Sequence, residues 1–423
     1  MKILVVGGGG REHAIVWKLA QSARVTALYC APGNAGIGRQ AQLVPIRIEE
    51  VGGLLAFARE NGIDLTVVGP ELPLARGIVD TFRRAGLRIV GPSQAAAQLE
   101  TSKVYAKEFM LRYKIPTAAA RIFYEPDAAY AYLQKQSLPL VIKADGLASG
   151  KGVVVAHTES EAAGAIDAFM RRRIFGEAGR RVLVEECLTG PEVSLLIATD
   201  GRTVRALAPS QDHKRIFDGD RGPNTGGMGA FCPAEVLTDA LRDQVLKEIV
   251  HPTLSGLHRE SRPYSGILYF GLMLTPAGPK VLEYNARLGD PETQSILPRL
   301  TTDLAELFEA LAEQRLSDLT LGWDPQVGVC VVLAAGGYPE EPRVGQVIHG
   351  LDEAAAVSGI TLFHAGTARR GTDVVTAGGR VLGVTALGRD LAEARARAYQ
   401  AVDRIRFDGM QYRKDIGLAA IGA

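Results

Sequence analysis

Glu283, Asn285 and Arg287 stand two residues apart in Val281-Leu282-Glu283-Tyr284-Asn285-Ala286-Arg287, a stretch that reads as a strand. Alternate residues of a strand point to one side, so the acid, the amide and the guanidinium are expected on a shared face. Two oxygen donors at that spacing suit Mg²⁺ (or Mn²⁺), with phosphates and waters completing its octahedron. Arg287, farther along the face, could clamp a phosphoryl group in transfer. The plain alternative is a solvated row of charges, yet such a row has no need of a neutral amide. A glycine-rich segment upstream and the turn Gly289-Asp290-Pro291-Glu292 downstream favour the metal.

That upstream segment is Lys143-Ala144-Asp145-Gly146-Leu147-Ala148-Ser149-Gly150-Lys151-Gly152-Val153. A Walker A loop has four residues between its glycines and Ser or Thr after its lysine. Here three residues separate Gly146 from Gly150, Gly152 follows Lys151, and the loop runs into a strand. The P-loop reading fails. Two lysines flanking a loop between strands suit a lid over a triphosphate, with Lys143 fixed on a strand end and Lys151 arriving with the loop. A surface hairpin with solvated lysines is the alternative.

A second glycine loop, Gly7-Gly8-Gly9-Gly10, joins an apolar run to Arg11-Glu12-His13. The dinucleotide fingerprint wants glycine or alanine at its third position and an acid ending the second strand. Glu12 or His13 holds the first place, and Leu28-Tyr29-Cys30 ends the strand, so a dehydrogenase is set aside. A glycine loop at a helix N-terminus still gathers anions. Pro32-Gly33-Asn34-Ala35-Gly36 and Gly69-Pro70-Glu71 follow later strands and should emerge on the same sheet edge. Three converging loops point to a phosphorylated substrate there, where one alone could be a tight turn.

These groups need positioning elements. Strands at 2–7, 25–30, 64–68 and 87–90, with helices near 49–61 and 74–85 between the later ones, predict a parallel α/β domain over 1–100. A helix from Ser102 to Tyr113 and short strands around the lid form an α+β unit over 101–190. Longer strands, including 267–274 and 280–284, build a central domain over 191–324. Beyond a linker at Trp323-Asp324-Pro325, a small α+β domain occupies 325–423. The fold class is thus α/β and α+β, multidomain.

Across 423 residues the formal net charge is +1, without the basic excess of a nucleic-acid binder, so the expected partners are small molecules. Cys30, Cys187, Cys232 and Cys330 lie too far apart for a zinc or disulfide framework, which fits a reducing, cytoplasmic setting. No apolar run approaches the ~18 residues of a membrane span.

Taken together the motifs resemble the ATP-grasp superfamily, and within it the phosphoribosylamine–glycine ligase family. The resemblance runs from Met1 to Arg413-Lys414-Asp415-Ile416-Gly417. It is carried by Gly10-Arg11-Glu12-His13-Ala14, Pro32 to Gly36, Lys143 to Val153, Ser210-Gln211-Asp212-His213-Lys214-Arg215, Gly222 to Gly229, and Asn285 through Glu292. The family implies an ATP-dependent ligase that forms a C–N bond between glycine and 5-phosphoribosylamine through glycyl phosphate, in purine synthesis. By resemblance, Lys103, Lys143 and Lys151 contact ATP phosphates with Gly150 and Gly152. Glu185, Glu186 and Leu188 form the adenine hinge, Glu192 holds the ribose, and Glu283 and Asn285 carry the metal. Gly9, Gly10, Arg11, Glu12, Asn34, Glu71, Asn224 and Thr225 are implied on the substrate side. Asp212 or Asp290 would meet the glycine ammonium, and His213 could be a base for the amine or a structural histidine. The 222–229 loop either closes over phosphoribosylamine or is a demanding turn. A monomer is expected.

Two departures stand out. Gly8 occupies a place where the family commonly has a polar residue such as Asn. The strand Leu268–Leu274 offers no carboxylate, though many ATP-grasp enzymes put a metal ligand there. The rival readings are an ATP-grasp enzyme with another acid and amine, and a nucleotide-binding regulator without turnover.

Overall fold

The computed structural model describes residues 1–147 and 152–421. Its first sheet comprises β1 (Lys2–Gly7), β2 (Ala27–Pro32), β3 (Gln42–Leu43), β4 (Leu65–Val68) and β5 (Ile89–Val90). They pair in parallel in the order β3-β2-β1-β4-β5. Ile3, Leu4, Val5 and Val6 are all buried, as a continuous apolar run must be when both faces of a parallel sheet are covered. The helix expected over 74–85 is instead two, Glu71–Ala75 and Ile78–Arg84. Gly77 between them has φ +75°, a left-handed conformation that interrupts the helix and costs glycine little.

The next unit is an antiparallel sheet of β6 (Ala120–Phe123), β7 (Leu140–Ala144), β8 (Val153–Ala156) and β9 (Val182–Glu186), ordered β6-β9-β7-β8. It has its own apolar core, with Ile142, Phe169 and Val184 at its centre. Lys103–Arg112 precedes it as a helix whose N-cap Ser102 accepts the Tyr105 N–H.

The chain continues through β10 (Glu192–Thr199), β11 (Val204–Ala206), β12 (Gln211–Asp212), β13 (Arg215–Phe217), β14 (Arg221–Asn224) and β15 (Gly229–Cys232), then β16 (Gly266–Thr275) and β17 (Gly278–Asn285). The central sheet is β11-β10-β16-β17. The last strands are β18 (Val327–Ala334), β19 (Ile360–His364), β20 (Thr367–Arg370), β21 (Asp373–Thr376) and β22 (Arg380–Gly388), covered by the helix Leu391–Val402. β12 and β15 leave the central region to join this sheet, in the order β12-β15-β18-β22-β19. The expected boundary near 325 is therefore crossed by strand pairing. Segment 211–232 is short-stranded and rich in glycine, so it shows no period-two pattern that could have revealed this.

One irregularity governs the site. In the β16–β17 ladder Gly271 faces Glu283 and Leu272 faces Val281, leaving Leu282 as an extra, unpaired residue. Such a bulge reverses the alternation. Val281 and Tyr284 consequently share the core face while Glu283 turns to the opposite side. Behind the strand, the Tyr284 hydroxyl meets Thr253 Oγ1 at 3.0 Å and its ring stands edge-on to Phe270.

The N-terminal and C-terminal sheets meet at two histidines. The His364 N–H donates to His13 Nδ1 at 2.7 Å, and His364 Nδ1 lies 3.1 Å from Thr367 Oγ1. Burial, then the neighbouring His364 and Arg39, lowers His13 to about 3. Burial, then Arg39 and Arg369, lowers His364 to about 4. A base with a depressed folded-state pKa gives its full stabilisation above the unfolded value and loses it as pH falls toward the folded one. The urea midpoint should therefore drop as pH falls from about 6.5 to about 4, and His364→Gln should flatten that slope. A wild-type midpoint that stays level across this window contradicts the assignment.

Candidate active site

A cavity of about 1000 Å³ opens where the carboxyl edge of the first sheet, the lid sheet and the central sheet face one another. Arg11, Glu71, Lys103, Lys143, Gly152, Glu185, Glu186, Leu188, Glu192, Asp212, His213, Asn224, Thr225, Glu283, Asn285, Arg287 and Asp290 all line it. Residues remote in sequence thus share one chamber. Gly150 and Lys151 lie outside the described residues.

At one end a relay of charges fixes the lysines. Lys107 is 2% exposed and donates to Thr117 Oγ1 at 2.7 Å and to the Ala118 carbonyl at 3.0 Å. Its Nζ also lies 3.1 Å from Glu185 Oε1, and Glu185 Oε2 lies 2.7 Å from Lys143 Nζ. Lys143 then donates to the carbonyl of the bulged Leu282 at 3.0 Å. The Glu185 carboxylate is committed to two lysines, which leaves it no free oxygen for a base. Burial opposes its ionisation, but Lys143 and Lys107 outweigh that and hold its pKa below the ordinary carboxylate value. Glu186 is likewise occupied, accepting from the Ala119 N–H at 2.9 Å and Lys280 at 3.0 Å. Among the described residues the Leu188 N–H has no hydrogen-bond partner, leaving it available to a ligand.

Lys214 was not singled out from the sequence, although it sits inside a motif that was. Its Nζ lies 3.0 Å from Glu192 Oε2 and 3.5 Å from Glu283 Oε1. Burial works against its charge, but Glu192 and Glu283 prevail and raise its pKa. Lys103 donates to the Gly146 carbonyl at 3.0 Å, and burial, partly countered by Glu283, lowers its pKa.

Glu283 and Asn285 supply one carboxylate and one amide oxygen, hard donors of the kind Mg²⁺ takes. Burial would raise the Glu283 pKa, yet Lys214, Lys143, Lys103 and Arg287 together pull it down, keeping the carboxylate ionised. Among the described residues no cluster of three or more acidic, histidine or cysteine groups could hold an ion unaided. With so many cations nearby, these two donors fit a metal that arrives with its own anionic ligands, and fit a bare ion poorly. Gly271 stands directly opposite Glu283, where a Cβ would lie 3.1 Å from Glu283 Cγ. The close approach leaves little room for a side chain at that place on the preceding strand.

On the substrate side several of the expected residues are engaged in bonds within the protein. Asn34 is saturated: Nδ2 donates to the carbonyls of Gly8 and His364, and Oδ1 accepts from the N–H groups of Gly36 and Ile37. It is a clasp between sheets, with no capacity left for substrate. Glu12 accepts from the Gly9 N–H and pairs with Arg11 Nε, both at 2.6 Å, so it shapes the loop. Thr225 is spent on its own turn, donating to the Lys214 carbonyl and accepting from the Gly227 N–H. Gly10 opens the helix Gly10–Leu19 beside Arg11. Arg287 is held by Glu100 at 2.9 Å and Glu71 at 3.4 Å, while Asn285 accepts from it at 3.3 Å. It is anchored beside Asn285, and acids of two short helices, Glu71–Ala75 and Gln98–Thr101, fix its orientation. Asp290 is paired with Arg380 at 3.4 Å and Gln294 at 2.8 Å.

Of the two readings of His213, its surroundings fit the structural histidine. Its Nε2 accepts the Gly417 N–H at 3.2 Å, and Nδ1 is buried without a partner. Burial, then Arg413, lowers its pKa to about 4. A neutral ring with Nε2 accepting carries its proton on Nδ1 and has no free lone pair to offer an amine.

A glycine-loop lid sheet, a central antiparallel sheet bearing acid and amide, and a lysine-lined chamber between them define an ATP-grasp protein. The chain also matches the descriptions "Phosphoribosylglycinamide synthetase" N domain over residues 1–100, ATP-grasp (A) domain over 101–293 and C domain over 328–419. It belongs to the phosphoribosylglycinamide synthetase family. Relatives named phosphoribosylamine–glycine ligase are 51% identical in Vibrio vulnificus (strain YJ016), covering 100% of this chain and 99% of that one, and 52% identical in Neisseria meningitidis (strain Z2491), covering 100% of both. The crystal structure of phosphoribosylamine–glycine ligase from Thermotoga maritima superposes with TM-score 0.83 at 35% identity, over 98% of this chain and 100% of that one. Biotin carboxylase from Campylobacter jejuni, 14% identical, shares the fold with TM-score 0.74 over 100% of this chain and 95% of that one.

Lys107→Met, similar in length, should leave Glu185 with a single cation and weaken ATP binding about tenfold, the loss of one charge-assisted hydrogen bond. Calorimetric titration with ATP tests this. Unchanged affinity would mean that Lys107 only packs the helix.

Proposed function

We propose that the chain joins glycine to 5-phosphoribosylamine at the expense of ATP, giving glycinamide ribonucleotide, ADP and phosphate in purine biosynthesis. The support comes above all from Glu283, turned by the Leu282 bulge into a cavity it shares with Lys103, Lys143 and Lys214. A carboxylate does not accept an amine at neutral pH, because its leaving oxygen is too basic. Transfer of the γ-phosphoryl group to glycine makes that oxygen a phosphate, and the amine of phosphoribosylamine then displaces it. Such transfer asks the protein mainly for alignment and neutralised charge.

Lys103 and Lys143 hold the phosphates, with Lys151, Gly150 and Gly152 closing from the lid. The Leu188 N–H and the backbone of Glu185 and Glu186 read the adenine, and Glu192 takes the ribose hydroxyls, drawing away from Lys214. Mg²⁺ (or Mn²⁺), seated by Glu283 and Asn285, supplies positive charge to the triphosphate. Arg287, oriented by Glu71 and Glu100, faces the phosphoryl group in flight. Arg11 at the helix N-terminus, with Asn224 across the cavity, receives the phosphoribosyl end. No Ser or Cys nucleophile is needed. We further propose a cytoplasmic monomer in which residues 1–100 act as a substrate domain, 101–190 as the ATP-grasp part with its glycine-rich lid, 191–324 as the metal-bearing core, and 325–423 as a C-terminal domain joined to that core by strand pairing. Among the described residues no helix is long and apolar enough to cross a membrane.

Phosphate release measured with each substrate omitted in turn tests the reading. Release should require ATP, glycine and phosphoribosylamine together. Response to bicarbonate in place of glycine would point to a different ligase. Lys143→Ala and Glu283→Ala should each lower kcat by about a hundredfold or more with an unchanged circular dichroism spectrum, and wild-type kinetics from either would remove that residue from the site.

A further inference from the structure

The hairpin of β13 and β14 is a sheet of two strands, and among the described residues neither strand pairs with any other. A hairpin standing alone in water is marginally stable at best. Its turn is also strained: Gly219 (φ +69°) and Asp220 (φ +51°) are both left-handed, and the second carries a side chain. Its apolar anchorage is small, for Ile216 packs with Met228 and Ala334 while Phe217 is exposed. Yet Arg215 and Asn224, partners in its ladder, both line the cavity. Their position must be set from outside the hairpin.

The support comes from the far end of the chain, Arg413-Lys414-Asp415-Ile416-Gly417. Arg413 is 1% exposed, and its Nε and Nη2 donate to the two Asp415 oxygens at 2.7 Å each. Its Nη1 donates to Asp220 Oδ1 at 2.6 Å and to the Arg215 carbonyl at 3.2 Å. Asp415 Oδ2 also accepts the Gly219 N–H at 2.8 Å, and Asp218 Oδ1 accepts the Lys414 N–H at 2.7 Å. Every residue of the turn Asp218-Gly219-Asp220 is thereby bonded to this segment. At the base of the hairpin the Gly417 N–H reaches His213. The segment is fastened in turn to the helix Leu391–Val402. There the Tyr399 hydroxyl donates to the Arg413 carbonyl at 2.6 Å and accepts the Ile416 N–H at 3.2 Å, and Arg395 donates to the Lys414 and Ile416 carbonyls. Burial would raise the Asp415 pKa, but Arg413 and the Gly219 N–H hold it below the ordinary range, so the pair stays ionised.

We propose that segment 413–417 is a strap that sets the β13–β14 hairpin over the phosphoribosyl end of the cavity, with Arg413 as its positioning residue. The inference rests on the ligase reading above. Neither Arg413 nor Asp415 lines the cavity, so their influence passes through the backbone of Arg215 and the turn. The strap serves the second half of the reaction, in which the amine displaces phosphate. The first half, phosphorylation of glycine, proceeds without it. Lysine is a poor substitute at 413, because a single ammonium lacks the planar fork that grips Asp415 while reaching Asp220.

The two halves can be measured apart. Glycine-dependent hydroxamate, formed when hydroxylamine traps the acyl phosphate, reports the first half, and product formed from phosphoribosylamine reports both. Arg413→Lys should raise the phosphoribosylamine KM about tenfold, the loss of one charge-assisted hydrogen bond, while hydroxamate formation and the glycine KM stay within about twofold. Asp218→Ala removes a single strap contact outside the cavity and should move the same KM about threefold, which keeps the test open if the buried arginine is needed for folding. A phosphoribosylamine KM unchanged in Asp218→Ala and in any folded Arg413→Lys, or hydroxamate formation that falls in step with ligation, overturns the strap and leaves the ligase reading intact. Wild-type enzyme without glycine-dependent hydroxamate would instead count against the ligase reading. Limited trypsin digestion answers without turnover: Asp218→Ala should be cut after Arg215 or Arg221 several-fold faster than wild type. Equal rates, or a uniform rise in cleavage along the chain, overturn the proposal.

Discussion

The contact between Lys143 Nζ and the Leu282 carbonyl ties together nearly everything else in the cavity. It spans two sheets with separate cores and uses the one residue of β17 that has no place in the ladder. In a regular ladder without the bulge, Glu283 would share the buried face of Val281. The bulge therefore performs two jobs at once: it aims an acid into the chamber and offers a carbonyl that docks the lid strand.

Charge in the chamber is arranged in pairs that a ligand can rearrange. Lys107, Glu185 and Lys143 form a closed set, locked by burial, whereas Lys214 bridges Glu192 and Glu283 in a partly open one. The closed set fixes geometry before any substrate arrives. The open set holds acids that a nucleotide and a metal would claim, with a lysine then released toward the phosphates. Such preorganised charge loses little to reorganisation during reaction.

Much of this was legible in the sequence where local chemistry determines local structure. The parallel first sheet followed from apolar runs ending in glycine, and Ser102 capped its helix as its type predicts. The dinucleotide and P-loop readings failed on local residues and spacing: Glu12, His13 and Cys30 for the first, Gly152 and the Gly146–Gly150 interval for the second. What the sequence concealed depends on distant partners. Asn34 looked like a substrate ligand because its loop lies on the right edge, but His364, some 330 residues later, takes its amide. Likewise the choice between base and structural histidine at His213 turned on Gly417, whose N–H occupies its Nε2. Period-two counting did put Glu283, Asn285 and Arg287 along one cavity wall, but the bulge at Leu282 that turns Glu283 away from Val281 has no signature in residue type.

The pairing of β15 with β18 carries a cost in time. Gly229 to Cys232 must wait for a partner almost a hundred residues downstream, and β18 in turn is bordered by β22, which ends at Gly388. On the ribosome, then, the wall holding Asp212 stays open until most of the chain has emerged. Long-range pairings of this kind form late, so nucleotide-binding surfaces in the first three hundred residues are made well before the chamber can shut out water.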